Sequence, residues 1–201
     1  MIAGRTGGVP AMTLEYVVNK HGLKDGENVT LNHDIAFNLM GPAFDGGTGD
    51  YTTLFEPTAS EYQALGKGYI VASVGEESGE IPYTAFTAIE SYVKKNETTI
   101  RKFIRAIYKA IDYMHKTADD VVAESLTKQF PGTKKESIAV SLESYKKIDA
   151  WTTNLAMSKT AFDNLQKVME NAGELKTRVD YDAVTNNKYA IEEYEKYRPA
   201  V

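Results

Sequence analysis

Apolar positions in the first eighty residues of the sequence follow two different periods. Short β-rich runs predict strands at 28–33, 50–55 and 68–74. Stretches of helical period predict helices near 10–21, 37–44 and 57–65. Strands that alternate with helices are typical of βαβ units around a mostly parallel sheet. We therefore expect an α/β fold in this part of the chain.

After about residue 84 the apolar positions follow the helical period alone. The clearest stripe contains Ile100, Phe103, Ile104, Ile107, Tyr108, Ile111 and Met114. A second stripe contains Ala161, Phe162, Leu165, Val168, Met169 and Ala172, and Gly173 closes it. The sequence predicts only three or four strands against which these apolar helix faces could pack. We therefore expect helices built to cover a sheet whose remaining strands lie outside this chain, and self-association through exposed helix faces.

Composition narrows the classes of function. The net charge of −5 argues against a nucleic-acid partner, because phosphate binding needs a basic face. The sequence has no cysteine, which excludes thiol nucleophiles, disulfides and Cys-based metal sites. The N-terminal residues lack the pattern of a secretory signal, and no run reaches the apolar length of a membrane span.

A glycine-rich turn is the first candidate site. Gly4–Pro10 precedes the predicted helix that contains Met12, and its glycines would let a ligand approach the helix start. An ordinary strand-to-helix turn would use the same glycines. The second candidate is Glu56, a carboxylate at the end of a predicted strand, where ligand crevices form in α/β sheets. Its alternative role is to cap the helix that begins at Pro57.

The sequence offers little support for catalysis or metal binding. His21, His33 and His115 lie far apart and have no carboxylate at ligand spacing. The Gly-x-Ser-x-Gly elbow, the Walker phosphate loop and the dinucleotide fingerprint are all absent. We therefore expect a protein that is not an enzyme, with no metal and no cofactor.

Three segments resemble a known family. They are Gly7–Tyr16 (GGVPAMTLEY), Gly49–Pro57 (GDYTTLFEP) and Ile81–Phe86 (IPYTAF). In order and spacing they look like the nitrate/sulfonate/taurine-type substrate-binding proteins of ABC transporters, and the resemblance runs from about residue 2 to residue 190. The phrase ending in Glu-Pro is its most specific part.

The resemblance implies a type II periplasmic-binding-protein-like α/β fold that is partial, because the family's opening strands have no counterpart here. Residues 1–82 would form one mostly complete lobe and a wall of the ligand cleft. Residues 83–201 would cross the hinge and supply helices of the other lobe. The ligand-binding positions carried over are Gly8, Val9, Met12, Thr13, Met40 and Glu56. Gly-Gly-Val-Pro replaces the small hydroxylated residues of nitrate and sulfonate binders, which argues against an anionic ligand.

The resemblance also implies a function and its setting. The chain would bind a small organic molecule (a sulfonate, nitrate, taurine or a pyrimidine-like compound) and deliver it to an ABC permease in the membrane. The parent protein would be extracytoplasmic, in the periplasm or as a surface lipoprotein. Two alternatives stay open. A thiamine-pyrimidine-synthase-like enzyme is disfavoured because that class relies on cysteines, and a helical interaction or regulatory module leaves the first eighty residues unexplained.

Overall fold

The computed structural model of the chain describes residues 1–197, which contain eleven α-helices and a 3₁₀ turn at Phe37–Leu39. The first four helices are α1 (Val9–Lys20), α2 (Met40–Asp45), α3 (Thr58–Ala64) and α4 (Val74–Ser78). The next four are α5 (Glu90–Lys95), α6 (Glu97–Lys116), α7 (Asp119–Leu126) and α8 (Lys135–Lys147). The last three are α9 (Lys159–Asn171), α10 (Tyr181–Val184) and α11 (Lys188–Tyr197).

The chain divides into two compact units. Unit 1 contains Met1–Ile81 and Thr160–Arg178. Unit 2 contains Pro82–Lys159 and the described residues from Val179 onward. The assignment of 1–82 and 83–201 to two lobes stays a prediction, and α9 groups with the earlier residues.

The predicted strands do not form within residues 1–197, where β pairing is limited to isolated bridges. Ile2 pairs in parallel with Asn32 and with Thr52, so the runs 28–33 and 50–55 each contribute one residue to it. The run 68–74 forms no bridge and exposes Tyr69 and Val71. The α/β arrangement expected for this lobe is therefore not confirmed, because the regular secondary structure of the described residues is helical, apart from isolated bridges.

The short pairing has a local cause. The amide of Ile2 donates to the Tyr51 carbonyl at 2.8 Å, and the amide of Ala3 donates to the Asn32 carbonyl at 2.9 Å. Gly4 then adopts a φ of +85°, in the left-handed region that glycine favours, and the chain turns away. The flanking segments consequently have only two or three residues to pair with, which is too short for a strand.

Helix α1 anchors the core of unit 1. Pro10 lies in its first turn, and Gly22, with a φ of +75°, follows its end. Its buried face brings Leu14 and Val18 into a cluster with Ala3 and Leu31. Helix α4 also contacts α1. The core of unit 1 thus surrounds the residues that form the bridges.

Helix α9 is held to the rest of unit 1 by side-chain amides. Asn164 donates to the carbonyl of Ser78, the last residue of α4, at 3.1 Å and to that of Glu80 at 3.0 Å. Asn171 accepts a hydrogen bond from Asn19 on α1 at 3.0 Å. A segment about eighty residues further along the chain is therefore part of unit 1.

In unit 2, α6 and α11 pack together around an enclosed carboxylate. Glu193 on α11 has no exposed surface and accepts hydrogen bonds from Arg101 Nη1 at 2.9 Å and from Arg105 Nε on α6. Lys196 adds a third contact at 3.1 Å. A buried charge needs such partners, because removing it from water is costly.

Tyr108, at the centre of α6, is 1% exposed, and its hydroxyl connects three segments of unit 2. It donates to the Ala190 carbonyl at 3.0 Å and accepts from the Leu155 amide at 3.2 Å. We expect Tyr108→Phe to lower the free energy of unfolding by about 1–3 kcal/mol, because the buried Ala190 carbonyl and the partly buried Leu155 amide each lose a hydrogen bond. Urea unfolding measures this loss.

The matched control is Tyr113→Phe on the same helix, where the side chain is exposed. This variant should change stability by no more than about 0.5 kcal/mol. Equal effects of the two substitutions would contradict the role assigned to the Tyr108 hydroxyl.

Helices α7 and α8 form a second cluster of unit 2. Val122 and Ala123 pack against Ile138 and Leu142, and Trp151 lies against them. The Trp151 ring contacts Tyr145 with centroids 5.5 Å apart. This pair of helices therefore has its own apolar core.

Candidate functional site

Three segments of unit 1 end at the same edge. Because the bridges from Ile2 to Asn32 and Thr52 are parallel, the residues that follow each of the three lie on one side. These are the turn 4–8, the segment 33–39 and the segment 53–57. In parallel arrangements this is the side where ligand crevices form.

Contacts between side chains confirm that the segments meet. The sulfur of Met40 lies 3.5 Å from the position that a Cβ on Gly4 would occupy. The rings of Phe37 and Phe55 have centroids 5.6 Å apart. His33, in the second segment, also lies 2.9 Å from the Gly4 carbonyl oxygen, so the first segment touches the second, and the second touches the third.

The glycine turn is exposed from Arg5 to Gly7 and leads directly into α1. Gly8 is the N-cap residue, with extended backbone, and no side chain caps this helix end. The amide of Gly8 donates to the Arg5 carbonyl at 3.1 Å and closes the turn. The helix start thus keeps its positive dipole end without a side-chain acceptor.

Three of the predicted ligand-binding residues lie in the core. Met12 is 4% exposed, Thr13 is 8% exposed and Met40 is 2% exposed. The Thr13 hydroxyl donates to the Val9 carbonyl at 2.7 Å, within its own helix. These side chains offer little surface to a ligand in this structure, and their contact with one stays a prediction. Gly8 and Val9 are half-buried at the edge itself.

The carboxylate of Glu56 is hydrogen-bonded to the helix that follows it. Its Oε2 accepts from the Ser60 amide at 3.1 Å, and its Oε1 accepts from the Ser60 hydroxyl at 2.8 Å. These bonds match the capping alternative, because they satisfy a donor in the first turn of α3. A role of Glu56 in ligand binding stays a prediction.

His33 contacts both the glycine turn and α1. His33 Nδ1 lies 2.9 Å from the Gly4 carbonyl oxygen, and its Nε2 lies 3.3 Å from Glu15 Oε1 on α1. A carbonyl oxygen only accepts, so the contact with Gly4 places a proton on Nδ1. Burial raises the pKa of Glu15, while His33 opposes that rise.

The sequence did not single out the exposed rings at this edge. Phe37 is 61% exposed and Phe55 is 38% exposed, and Leu39 beside them is also exposed. Alternation in sequence indicates which side chains share a face, but not which of two apolar neighbours is buried. The order Phe37, Leu39, Met40 therefore gave no sign that Met40 alone is enclosed.

Metal clusters and membrane-spanning helices were searched for in the described residues. Within residues 1–197 no group of three or more His, Asp or Glu side chains is placed to hold a metal ion. No helix among these residues has the length and apolar character needed to cross a membrane.

Comparison with known proteins identifies the family. A model of the NMT1-like family matches residues 2–127, which is more than half of the chain. The chain belongs to the NMT1-like family. The match covers the glycine turn, both Ile2 bridges and the whole candidate edge, and it extends through α6 and α7.

This NMT1-like chain is 40% identical over 186 residues to the Bacillus subtilis (strain 168) protein named "Putative binding protein YtlA". The alignment covers 92% of this chain and 56% of that protein, so the chain spans little more than half of the relative's length. No solved structure matches the chain.

The family and this relative support the coarser predictions. They support the prediction of a binding-protein family. NMT1-like membership also supports a periplasmic-binding-protein-like fold. The type II α/β form of that fold is not confirmed, because the described residues pair only through isolated bridges.

Proposed function

We propose that this chain is the solute-binding component of an ABC importer of the nitrate/sulfonate/taurine type. It holds a small organic molecule at the edge formed by the glycine turn and the segments 33–39 and 53–57, and it makes or breaks no covalent bond. The observation that carries the proposal is the convergence of these three segments beside an uncapped helix start.

The geometry of the turn supports recognition by the backbone. Gly7 lies in the exposed part of the turn and has a φ of +70°, so a side chain is disfavoured there. The Glu174 carboxylate lies 3.2 Å from the position that a Cβ on Gly7 would occupy, so a ligand that approaches the main chain here also meets this carboxylate. Helix-start N–H groups beyond Gly8 provide donors for a carbonyl or another electron-rich group.

The importer setting completes the proposal. A membrane permease receives the ligand, and the parent protein works outside the cytoplasm, in the periplasm or as a surface lipoprotein. Residues 1–82 supply a wall of the cleft and residues 83–201 supply helices of the other lobe. The resemblance of Gly7–Tyr16 and Gly49–Pro57 to that class supports these assignments.

A calorimetric titration tests the proposal. Nitrate, taurine, methanesulfonate and cytosine are the probes, each titrated into the whole chain and into Gly8→Val. We expect at least one probe to bind saturably without being chemically converted. Gly8→Val should raise the dissociation constant of that probe at least about tenfold, because a side chain at the N-cap blocks the approach to the helix start.

Gly46→Val is the matched control. Gly46 also flanks a helix, with a φ of −77° against −79° at Gly8, but it follows α2. A Cβ there would lie 3.4 Å from a backbone carbonyl oxygen, against 3.1 Å at Gly8. Saturable binding that Gly8→Val leaves unchanged, chemical conversion of a probe, or no binding of any probe would each contradict the proposal.

A further inference from the structure

His33 connects two parts of the candidate site. It belongs to the segment 33–39, which follows the Asn32 bridge, and its side chain is 19% exposed. Nδ1 donates to the Gly4 carbonyl at 2.9 Å, at the start of the glycine turn. Nε2 lies 3.3 Å from Oε1 of Glu15, in the second turn of α1. One imidazole ring therefore contacts both the turn and the helix that follows it.

The contact with Glu15 depends on the charge of the ring. The Gly4 carbonyl oxygen only accepts, so Nδ1 keeps its proton and Nε2 is the nitrogen that gains or loses one. A ring that is protonated at both nitrogens is a cation and attracts the Glu15 carboxylate, whereas a ring protonated at Nδ1 alone is neutral. Histidine ordinarily changes charge between pH 5 and pH 8. The attraction between His33 and Glu15 therefore weakens as the pH rises through this range.

The surroundings of Glu15 make the charge of His33 important. The Glu15 side chain is 23% exposed, so water and salt screen the pair only in part. The charged groups that act most strongly on its carboxylate are His33, Asp25 and Glu174. Asp25 follows α1 and Glu174 follows α9, and both are acidic. Arg5, the basic residue of the turn itself, is exposed to solvent. Loss of the second proton of His33 therefore leaves three carboxylates near the turn without the cation that faces them.

We infer that His33 is a positioning residue of the binding site: its protonated form holds the glycine turn and the segment 33–39 against α1, and the affinity for the ligand therefore falls as the pH rises from 6 to 8. This inference rests on the proposed solute-binding function and adds a regulation of the same site. The ring acts through the Gly4 carbonyl and Glu15, whereas the ligand meets the exposed part of the turn. A site that binds its ligand better when protonated also takes up protons when the ligand binds.

Calorimetric titrations of the whole chain at pH 6 and pH 8 test the inference. The probe is whichever of nitrate, taurine, methanesulfonate and cytosine binds in a Gly8-dependent manner, and each of these keeps essentially one charge state over this range. We expect its dissociation constant to rise at least about threefold from pH 6 to pH 8, because the neutral ring no longer attracts Glu15. Titrations near pH 7 in buffers with different heats of ionisation count the protons, and we expect net proton uptake on binding.

Substitutions assign the effect to His33. His33→Asn keeps an N–H donor for the Gly4 carbonyl and has no charge to lose, so its dissociation constant should be nearly the same at the two pH values. Glu15→Gln keeps the shape of that side chain without its charge and should reduce the change with pH. His21→Asn is the matched control, because His21 lies at the other end of α1, with Nε2 3.0 Å from Glu77 Oε2 and a side chain that is 55% exposed. This control should keep the full change with pH.

The outcomes separate this inference from the proposed function. Gly8-dependent binding that is equally tight at pH 6 and pH 8, or a change with pH that His33→Asn retains or His21→Asn also removes, would overturn the inference and leave the solute-binding role standing. Nitrogen NMR of the His33 ring needs no ligand: at pH 8 we expect the proton on Nδ1, and a neutral ring with its proton on Nε2 would overturn the inference. The absence of binding by every probe would contradict the solute-binding role and, with it, the inference.

Discussion

Met40→Ala should lower the free energy of unfolding by about 2–4 kcal/mol, which is the usual range for emptying a buried methionine site. Met40 is 2% exposed, and its sulfur packs against Gly4, where the chain turns after the Ile2 bridges. Truncation leaves a cavity beneath the glycine turn, and the surrounding backbone can close it only in part. Urea denaturation of the whole chain measures the loss.

Two further substitutions make this expectation specific. Met40→Leu keeps most of the volume and should cost less than about 1.5 kcal/mol. Leu39→Ala changes the neighbouring residue, which is 52% exposed, and should stay within about 0.5 kcal/mol of the unaltered chain. If Met40→Ala were as mild as Leu39→Ala, Met40 would face solvent or ligand instead of the core.

Glu193→Ala should lower the melting temperature by about 5–10 °C, because three cations lose a shared and enclosed partner. The Arg101 side chain is 18% exposed and that of Arg105 is 35% exposed, so water can only partly replace the carboxylate. Differential scanning calorimetry gives the shift. Glu192→Ala is the matched control, because this neighbour contacts Arg101 from a side chain that is 41% exposed.

Lowering the pH should weaken the same network of ion pairs around Glu193. Hydrogen bonds from Arg105, Arg101 and Lys196 lower the pKa of Glu193 from an ordinary 4.5 to about 2. A carboxyl with a lowered pKa in the folded state contributes its full stability above pH 4.5 and loses it as the pH falls towards 2. The difference in melting temperature between the chain and Glu193→Gln should therefore shrink across that window. A difference that is constant from pH 6 to pH 2.5 would show that the charge of Glu193 is not responsible.

Helices were predicted from the sequence far better than strands. The apolar stripe from Ile100 to Met114 lies in α6, and the helix predicted near 10–21 is α1, at Val9–Lys20. A helix satisfies its backbone hydrogen bonds internally, so its apolar stripe needs only an apolar surface to pack against. A strand also needs a neighbouring backbone segment along its whole length. Here that segment ends after Ala3, because the chain turns away at Gly4. The alternation of apolar and polar residues within 28–33 or 50–55 does not show how long the neighbouring segment is.

The sequence indicated two of the segments that meet at the candidate edge, but not which of their side chains are exposed. Gly8 and Glu56 lie in two segments that end at one edge, as the order of elements implied. The burial of Met40 and the exposure of Phe37 depend on packing around residues distant in sequence, which no local pattern reports. The capping bonds from Ser60 to Glu56 were one of two roles that the sequence left open.

The position of Trp151 determines which spectroscopic signals are useful. It is the single tryptophan of the sequence, and it lies against the α7 and α8 cluster in unit 2, whereas the candidate edge is in unit 1. Intrinsic tryptophan emission therefore reports on the melting of that helix pair. A fluorescence titration without change would not argue against occupancy of the site, so calorimetric heat or the NMR signals of the ligand are the better readouts.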